Sequence, residues 1–358
     1  RRVWKSCERR AIECIEPGGV AELRRRRDCY GDDIAFVRTS MVFRRSYRLR
    51  SCRSLGASIA LTLWAGSFAG IFAGAAAPGL ARPPLTIDDR TAQLTTVSRA
   101  AARELERGLD AVRASDLDGA IAAFQRAAEI APDFALAHYN LGLALRQSGE
   151  MQPAADAFYA AIQADPGFAL AYGNLGAVVL EGGNLEQAEL YLDYALDLDP
   201  ALGLAHYNLG LVRYQQGDLE SAIDSFRSAQ RHSPAAPEPP YYLGTIYLQQ
   251  GRTRRARSAF ERAIDRNPNY IEARYQLGIV HLGNGDLDDA LEEFRYIREI
   301  APDYANAYYG AGLVFLSQGE PEEAIAVLAY AERLYRDRGQ TEWAQRARDL
   351  IEELVGTL

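Results

Sequence analysis

The sequence predicts an all-α protein of seven stacked helix–turn–helix units with a C-terminal capping helix. Three observations predict it. Glycine recurs every 34 residues without insertion or deletion, at Gly108, Gly142, Gly176, Gly210, Gly244, Gly278 and Gly312. Alanine follows in the same register, at Ala120, Ala154, Ala188, Ala222, Ala256, Ala290 and Ala324, and proline closes six of the seven units, at Pro132, Pro166, Pro200, Pro234, Pro268 and Pro302. A strict period of this length belongs to architectures in which each unit buries its apolar face only against its neighbours.

Each element follows from these positions. Glycine and alanine let two helices of one unit approach closely, because nothing larger fits where their ridges cross. Phe124, Phe158, Leu192, Phe226, Phe260, Phe294 and Leu328 stand one helical turn beyond each alanine on the same face. Gly149, Gly183, Gly217, Gly251, Gly285 and Gly319 mark the turn between the two helices and suit a left-handed position after a helix end. Proline then stops the second helix. Beyond the repeats at 101–338, residues 339–358 read as a capping helix, with Trp343, Ala344, Ala347, Leu350, Ile351 and Leu354 on one face and Glu342, Arg346, Asp349, Glu352 and Glu353 on the other. Residues 82–100 form a linker whose last turns extend the first helix backwards.

Leu141, Gly142, Ala154, Phe158, Ala161 and Pro166 carry a resemblance to the tetratricopeptide repeat family, and the same register repeats over 101–338. The first unit departs from it at Arg107 and Ala111, the last at Ala311 and Arg336. The resemblance implies a right-handed superhelical solenoid whose first helices line a concave groove that binds extended peptide.

The region upstream differs in kind. Residues 1–81 carry 15 basic and 7 acidic side chains, whereas the remainder carries 25 and 41. An acidic solenoid argues against nucleic acid as a partner, since that needs a basic surface. Between Arg53 and Arg82 stand 28 uncharged residues, preceded by Arg44, Arg45, Arg48, Arg50 and Arg53. A basic stretch, an apolar run and a small-residue stretch form an export signal over 41–81. Two readings stand: cleavage after Ala75 or Ala81, or retention of 54–81 as a membrane anchor. Both put the repeats on the non-cytoplasmic side, periplasmic or tethered to the inner membrane. The native chain is expected to begin at Met41, with 1–40 a non-native or disordered extension. All four cysteines (Cys7, Cys14, Cys29 and Cys52) precede the repeats, so the repeats need no disulfide.

No phosphate loop, nucleophile elbow or catalytic triad pattern occurs. His138 and His206 share one repeat position with Tyr172 and Tyr308 and read as packing residues; no second His or Cys stands at metal-ligand spacing. The paired carboxylates Asp288-Asp289 and Glu322-Glu323 open second helices, where they favour the positive end of the helix dipole. The expectation is a protein that is not an enzyme and carries no cofactor or metal.

The candidate binding residues lie on the first helices. Tyr139, Tyr207, Tyr241, Tyr275 and Tyr309 share one register; Asn140, Asn174, Asn208 and Gln276 share the next. A side-chain amide both donates and accepts, so a ladder of them can hold a peptide backbone whatever its sequence. The ladder resembles that of the superhelical repeats of O-linked N-acetylglucosamine transferases, and these side chains are expected to face the groove. Leu136, Leu170 and Leu204 stand where a carboxylate-clamping groove would need Lys or Arg, which favours a peptide with apolar or aromatic side chains. The second candidate is a basic patch at Arg252, Arg254, Arg255 and Arg257, for an acidic partner or anionic headgroups. Just before it, the proline-rich stretch 233–240 is the expected place for a bend. Together these positions predict an exported, non-catalytic scaffold for a protein or peptide client, serving envelope complex assembly. The alternative is a non-catalytic subunit or fragment of a repeat-containing enzyme such as a glycosyltransferase.

Overall fold

The computed structural model describes residues 98–357, and the expected export signal over 41–81, the expected extension 1–40 and most of the expected linker lie outside the described residues. Fifteen helices and no strand occur among the described residues. They alternate as first and second helices of seven pairs: α1 (Arg99–Arg113) with α2 (Leu117–Ile130), α3 (Ala135–Ser148) with α4 (Met151–Ala164), α5 (Ala169–Glu181) with α6 (Leu185–Leu198), α7 (Gly203–Gln216) with α8 (Leu219–His232), α9 (Glu238–Gln249) with α10 (Thr253–Arg266), α11 (Ile271–Asn284) with α12 (Leu287–Ile300), and α13 (Ala305–Gln318) with α14 (Pro321–Asp337). The last helix, α15 (Thr341–Val355), packs against α14. No described helix is long and apolar enough to cross a membrane.

The 34-residue glycine has a direct physical cause. A Cβ at Gly142 would lie 2.7 Å from the ring of Phe158, and one at Gly244 would lie 2.6 Å from the ring of Phe260. Each glycine is thus the floor on which a side chain of its own second helix rests, an aromatic ring in five pairs and Leu192 or Leu328 in the other two. The rings are buried throughout, as are the alanines one turn before them. The turn glycines Gly149, Gly183, Gly217, Gly251, Gly285 and Gly319 all take left-handed φ. In the first pair that place falls to Ser115, at φ 60, the single non-glycine residue with positive φ among those described.

Two compact units contain these helices. One ends at Ala273 and holds the first five pairs; the other begins at Arg274 and holds the remainder of α11 and everything after it. The division falls within α11. The proline-rich stretch 233–240, where the sequence suggests a bend, lies inside the first unit, with Pro239 and Pro240 in the first turn of α9. In the second unit, Trp343 of α15 packs edge-on against Tyr309 and stacks on Tyr335. Ala344, Ala347 and Leu354 of α15 are buried.

Candidate functional site

The first-helix register is where the structure corrects the sequence reading. Asn140, Asn174, Asn208 and Gln276 do not stand open to solvent: all are buried, Asn140 to 1% exposure. The amide nitrogen of Asn140 donates to the Leu136 carbonyl at 2.8 Å. That of Asn174 donates to the Leu170 carbonyl at 2.9 Å and to the Tyr139 hydroxyl at 3.3 Å. Each thus uses part of its capacity on its own helix. The rest is unspent: Asn140 Oδ1, Asn208 Nδ2 and Gln276 Oε1 are buried with no hydrogen-bond partner.

The tyrosines are likewise packing residues rather than groove walls. Tyr139, Tyr207, Tyr241 and Tyr275 are buried, and Tyr309 is half-buried. Tyr139 packs on Phe158 of its own pair and on Phe168, which opens the next. Tyr241 does the same with Phe260 and Tyr270, and Tyr275 with Phe294 and Tyr304. The register therefore points into the joint between consecutive pairs, a large aromatic payload bridging two units. His138 and His206 instead reach back to the preceding joint, each ring Nε2 lying within 2.9 Å of the carbonyl of Pro132 or Pro200 in the loop before its own helix.

A residue missed by the sequence reading is Glu238, the first residue of α9. In pairs two to four that position is Leu136, Leu170 or Leu204. Glu238 is 5% exposed, and its Oε2 has no partner. Burial raises its pKa, opposed by a hydrogen bond from its own backbone N–H. Around it stand Tyr207, Tyr242 and Tyr270, whose hydroxyls are all pushed up, first by burial and then by neighbours that include this carboxylate. Tyr242 occupies the position of the ladder asparagine, so the fifth pair breaks the ladder with an acid and a phenol. A glutamate at the leucine position was the signal that could have found it.

The basic patch divides. Arg227 and Arg231 of α8 meet Arg254, Arg255, Arg262 and Arg266 of α10 across two adjoining clefts of 560 and 410 Å³. Pro240, Leu243 and Tyr247 of α9 line the smaller cleft between the arginines. Arg252 and Arg257 line neither, and Arg257 is paired with Glu261 at 2.8 Å. Arg254 and Arg255 are exposed and make no ion pair among the described residues. Burial and the neighbouring Arg262 pull the Arg266 guanidinium below its ordinary value. The α8 arginines come from the preceding helix pair, which is why reading α10 alone misses them.

Stacked helix pairs with a conserved packing skeleton and variable surfaces define a protein-interaction scaffold. The chain belongs to the tetratricopeptide repeat family, whose profile matches residues 105–169, 174–237, 241–305 and 275–338. Among solved structures, it is similar to YrrB, described as a repeat protein of this family with an unusual peptide-binding site (30% identity, 55% of this chain and 99% of that one, TM-score 0.46). It is also similar to PilW, a type IV pilus biogenesis factor (18% identity, 59% of this chain and 98% of that one, TM-score 0.53). PilF of Pseudomonas aeruginosa matches at 20% identity over 58% of this chain and 95% of its own, with a TM-score of 0.52. No curated protein sequence matches.

Proposed function

We propose that this protein is an exported, non-catalytic scaffold that holds an extended segment of a client protein along the first helices of its first unit, in the service of envelope complex assembly. The observation that carries the reading is the row of unmatched polar atoms there: Asn140 Oδ1, Asn208 Nδ2 and Glu238 Oε2. A buried polar group without a partner costs about 1–3 kcal/mol; these atoms are closed inside the joints between pairs, so a client backbone supplies the missing donors and acceptors by entering those joints. Leu170 and Leu204, both half-buried, offer apolar surface beside the amides. The matching client segment is apolar, followed by a basic side chain that meets Glu238 among its tyrosines. Export rests on Arg44–Arg53 and the uncharged run to Ala81.

The full-length protein, tagged at its C-terminus, should capture the client from an envelope extract, identified by mass spectrometry. E238Q should then weaken the isolated complex about tenfold or more, as expected when a charge-assisted hydrogen bond is lost. Undiminished binding by E238Q overturns this placement. Co-purification of an enzyme would favour the subunit alternative. A reporter fused after residue 100 and active only outside the cytoplasm tests export.

A specific observation favours a second binding surface. Arg254 and Arg255 lack counter-ions beside an open cleft, and an acidic segment of a partner would complement them. Loss of the client on R254S/R255S with retention on E238Q would move the binding surface there.

A further inference from the structure

The turn between α11 and α12 gathers three metal-ligating side chains. His281 occupies the position held by Ala111, Leu145, Val179, Tyr247 and Phe315 in five other pairs and by Arg213 in the fourth. Its imidazole is 5% exposed, and its Nδ1 has no hydrogen-bond partner. Asp286 stands at the N-cap of α12. At that register Asp116, Asn184 and Asp218 accept the backbone N–H of the third helical residue, whereas Asp286 makes no cap bond. Asp289 follows one turn along α12.

These groups converge. His281 Nδ1 lies 3.7 Å from Asp286 Oδ2 and 3.7 Å from Asp289 Oδ2, and the three ligand atoms are all within 4.8 Å of one another. The frame beneath them is fixed: the Asp286 N–H donates to the His281 carbonyl at 2.9 Å, and Gly285 takes a left-handed φ of 84°. A direct imidazole–carboxylate hydrogen bond needs about 2.7–3.2 Å, so this spacing is too wide for one. A divalent ion with bonds of about 2.0–2.2 Å holds tetrahedral donors roughly 3.4 Å apart. A few tenths of an ångström of closure on each imidazole–carboxylate distance, with a larger movement of the two solvent-side carboxylates toward each other, would bring the three groups to that spacing.

We propose that His281 Nδ1 and one oxygen each of Asp286 and Asp289 form a divalent transition-metal site, with water completing the coordination. The imidazole selects a zinc- or manganese-class ion over magnesium and calcium, which prefer all-oxygen sites. A bound ion would join the first helix of the sixth pair to the second and so stiffen this unit. The site is independent of the client-binding reading.

Chelator-treated full-length protein should be titrated with zinc chloride, and separately with manganese and magnesium chloride, by calorimetry and by thermal melting. Binding of one zinc per chain, with a melting temperature raised by several degrees at saturation, is expected; magnesium should give neither. H281F keeps the packing, since Phe315 fills the same register, and should melt like the metal-free protein while losing the zinc heat and the zinc-dependent shift. D289N, at an exposed position, should weaken zinc at least tenfold. Absence of stoichiometric zinc binding by the wild type overturns the proposal. So does zinc binding that survives H281F unchanged, which would place the ion elsewhere in the chain.

Discussion

The second and fifth helix pairs share a skeleton and differ in everything laid upon it. In both, a glycine of the first helix supports an aromatic ring of the second: Gly142 under Phe158, Gly244 under Phe260. In both, a tyrosine bridges to the following pair. Yet the second pair carries Leu136 and Asn140 where the fifth carries Glu238 and Tyr242. The second helix of the second pair is uncharged apart from Asp156, whereas that of the fifth carries Arg254, Arg255, Arg257, Arg262 and Arg266. Close packing holds constant the glycine, the ring it supports and the bridging tyrosine. Other registers vary, both in the joint, where Leu136 and Asn140 give way to Glu238 and Tyr242, and on the outer face of the second helix.

If the skeleton is common to the two pairs, damaging it should cost the same in each. Phe158 and Phe260 are both fully buried. F158A and F260A should each destabilise by about 3–5 kcal/mol, measured by urea denaturation. A difference of more than about 2 kcal/mol between them would break the comparison. The ladder position should be cheaper. Asn140 is buried and gives one hydrogen bond to its own helix while leaving Oδ1 unmatched. N140A should therefore cost about 1–2 kcal/mol. A neutral result would mean that the amide is not held in the joint.

The skeleton was legible because it is periodic. Gly, Ala, Phe and Pro recur at fixed separations, and each has a steric reason that needs no partner outside the repeat. The turn glycines were legible for the same cause, since no other residue adopts left-handed φ at low cost. The facing of the ladder was not legible. Asn140 and Tyr139 sit on the first helices as the period requires, but which way they point depends on how closely the next pair approaches, and that follows from the sizes of Phe158, Phe168 and their neighbours together. Glu238 escaped because it interrupts a register instead of repeating it. The arginine clefts escaped in part because Arg227 and Arg231 belong to the preceding helix pair.

The first pair offers a test of the skeleton by repair. Ser115 takes the left-handed turn position that glycine holds in the second pair and the fifth. A non-glycine residue there costs about 1 kcal/mol or more, so S115G should stabilise the protein by about 1 kcal/mol, read as a higher urea midpoint at unchanged slope. No gain would mean that the serine side chain compensates for its backbone.

Glu238 sharpens the contrast through pH. Its pKa is raised by burial, so the folded state holds its proton more tightly than the unfolded state. Where the two states differ in this way, stability falls as pH rises from the ordinary carboxylate range through the raised value, and the cost persists above it. E238Q removes that term. The variant should melt above the wild type at neutral pH, and the gap should close as the pH is lowered into the ordinary carboxylate range. A gap that does not change with pH would mean that Glu238 is solvated, and the fifth pair would lose its main distinction from the second.

The smallest effect on stability should come from the arginines. Arg254 and Arg255 are exposed and bring no ion pair to the folded state. Removing them deletes no packing, and nearby Arg227, Arg262 and Arg266 repel them weakly through solvent. R254S/R255S should therefore melt within about 0.5 kcal/mol of the wild type, with any change toward greater stability, since like charges are being separated. The same substitution on a face that closed against acidic neighbours would destabilise. A loss above about 1 kcal/mol would reveal an intramolecular partner for these guanidinium groups, and the cleft would then be part of the skeleton. A neutral result leaves the clefts as surface that the fold does not need, which is the condition a binding site must meet before its partner is sought.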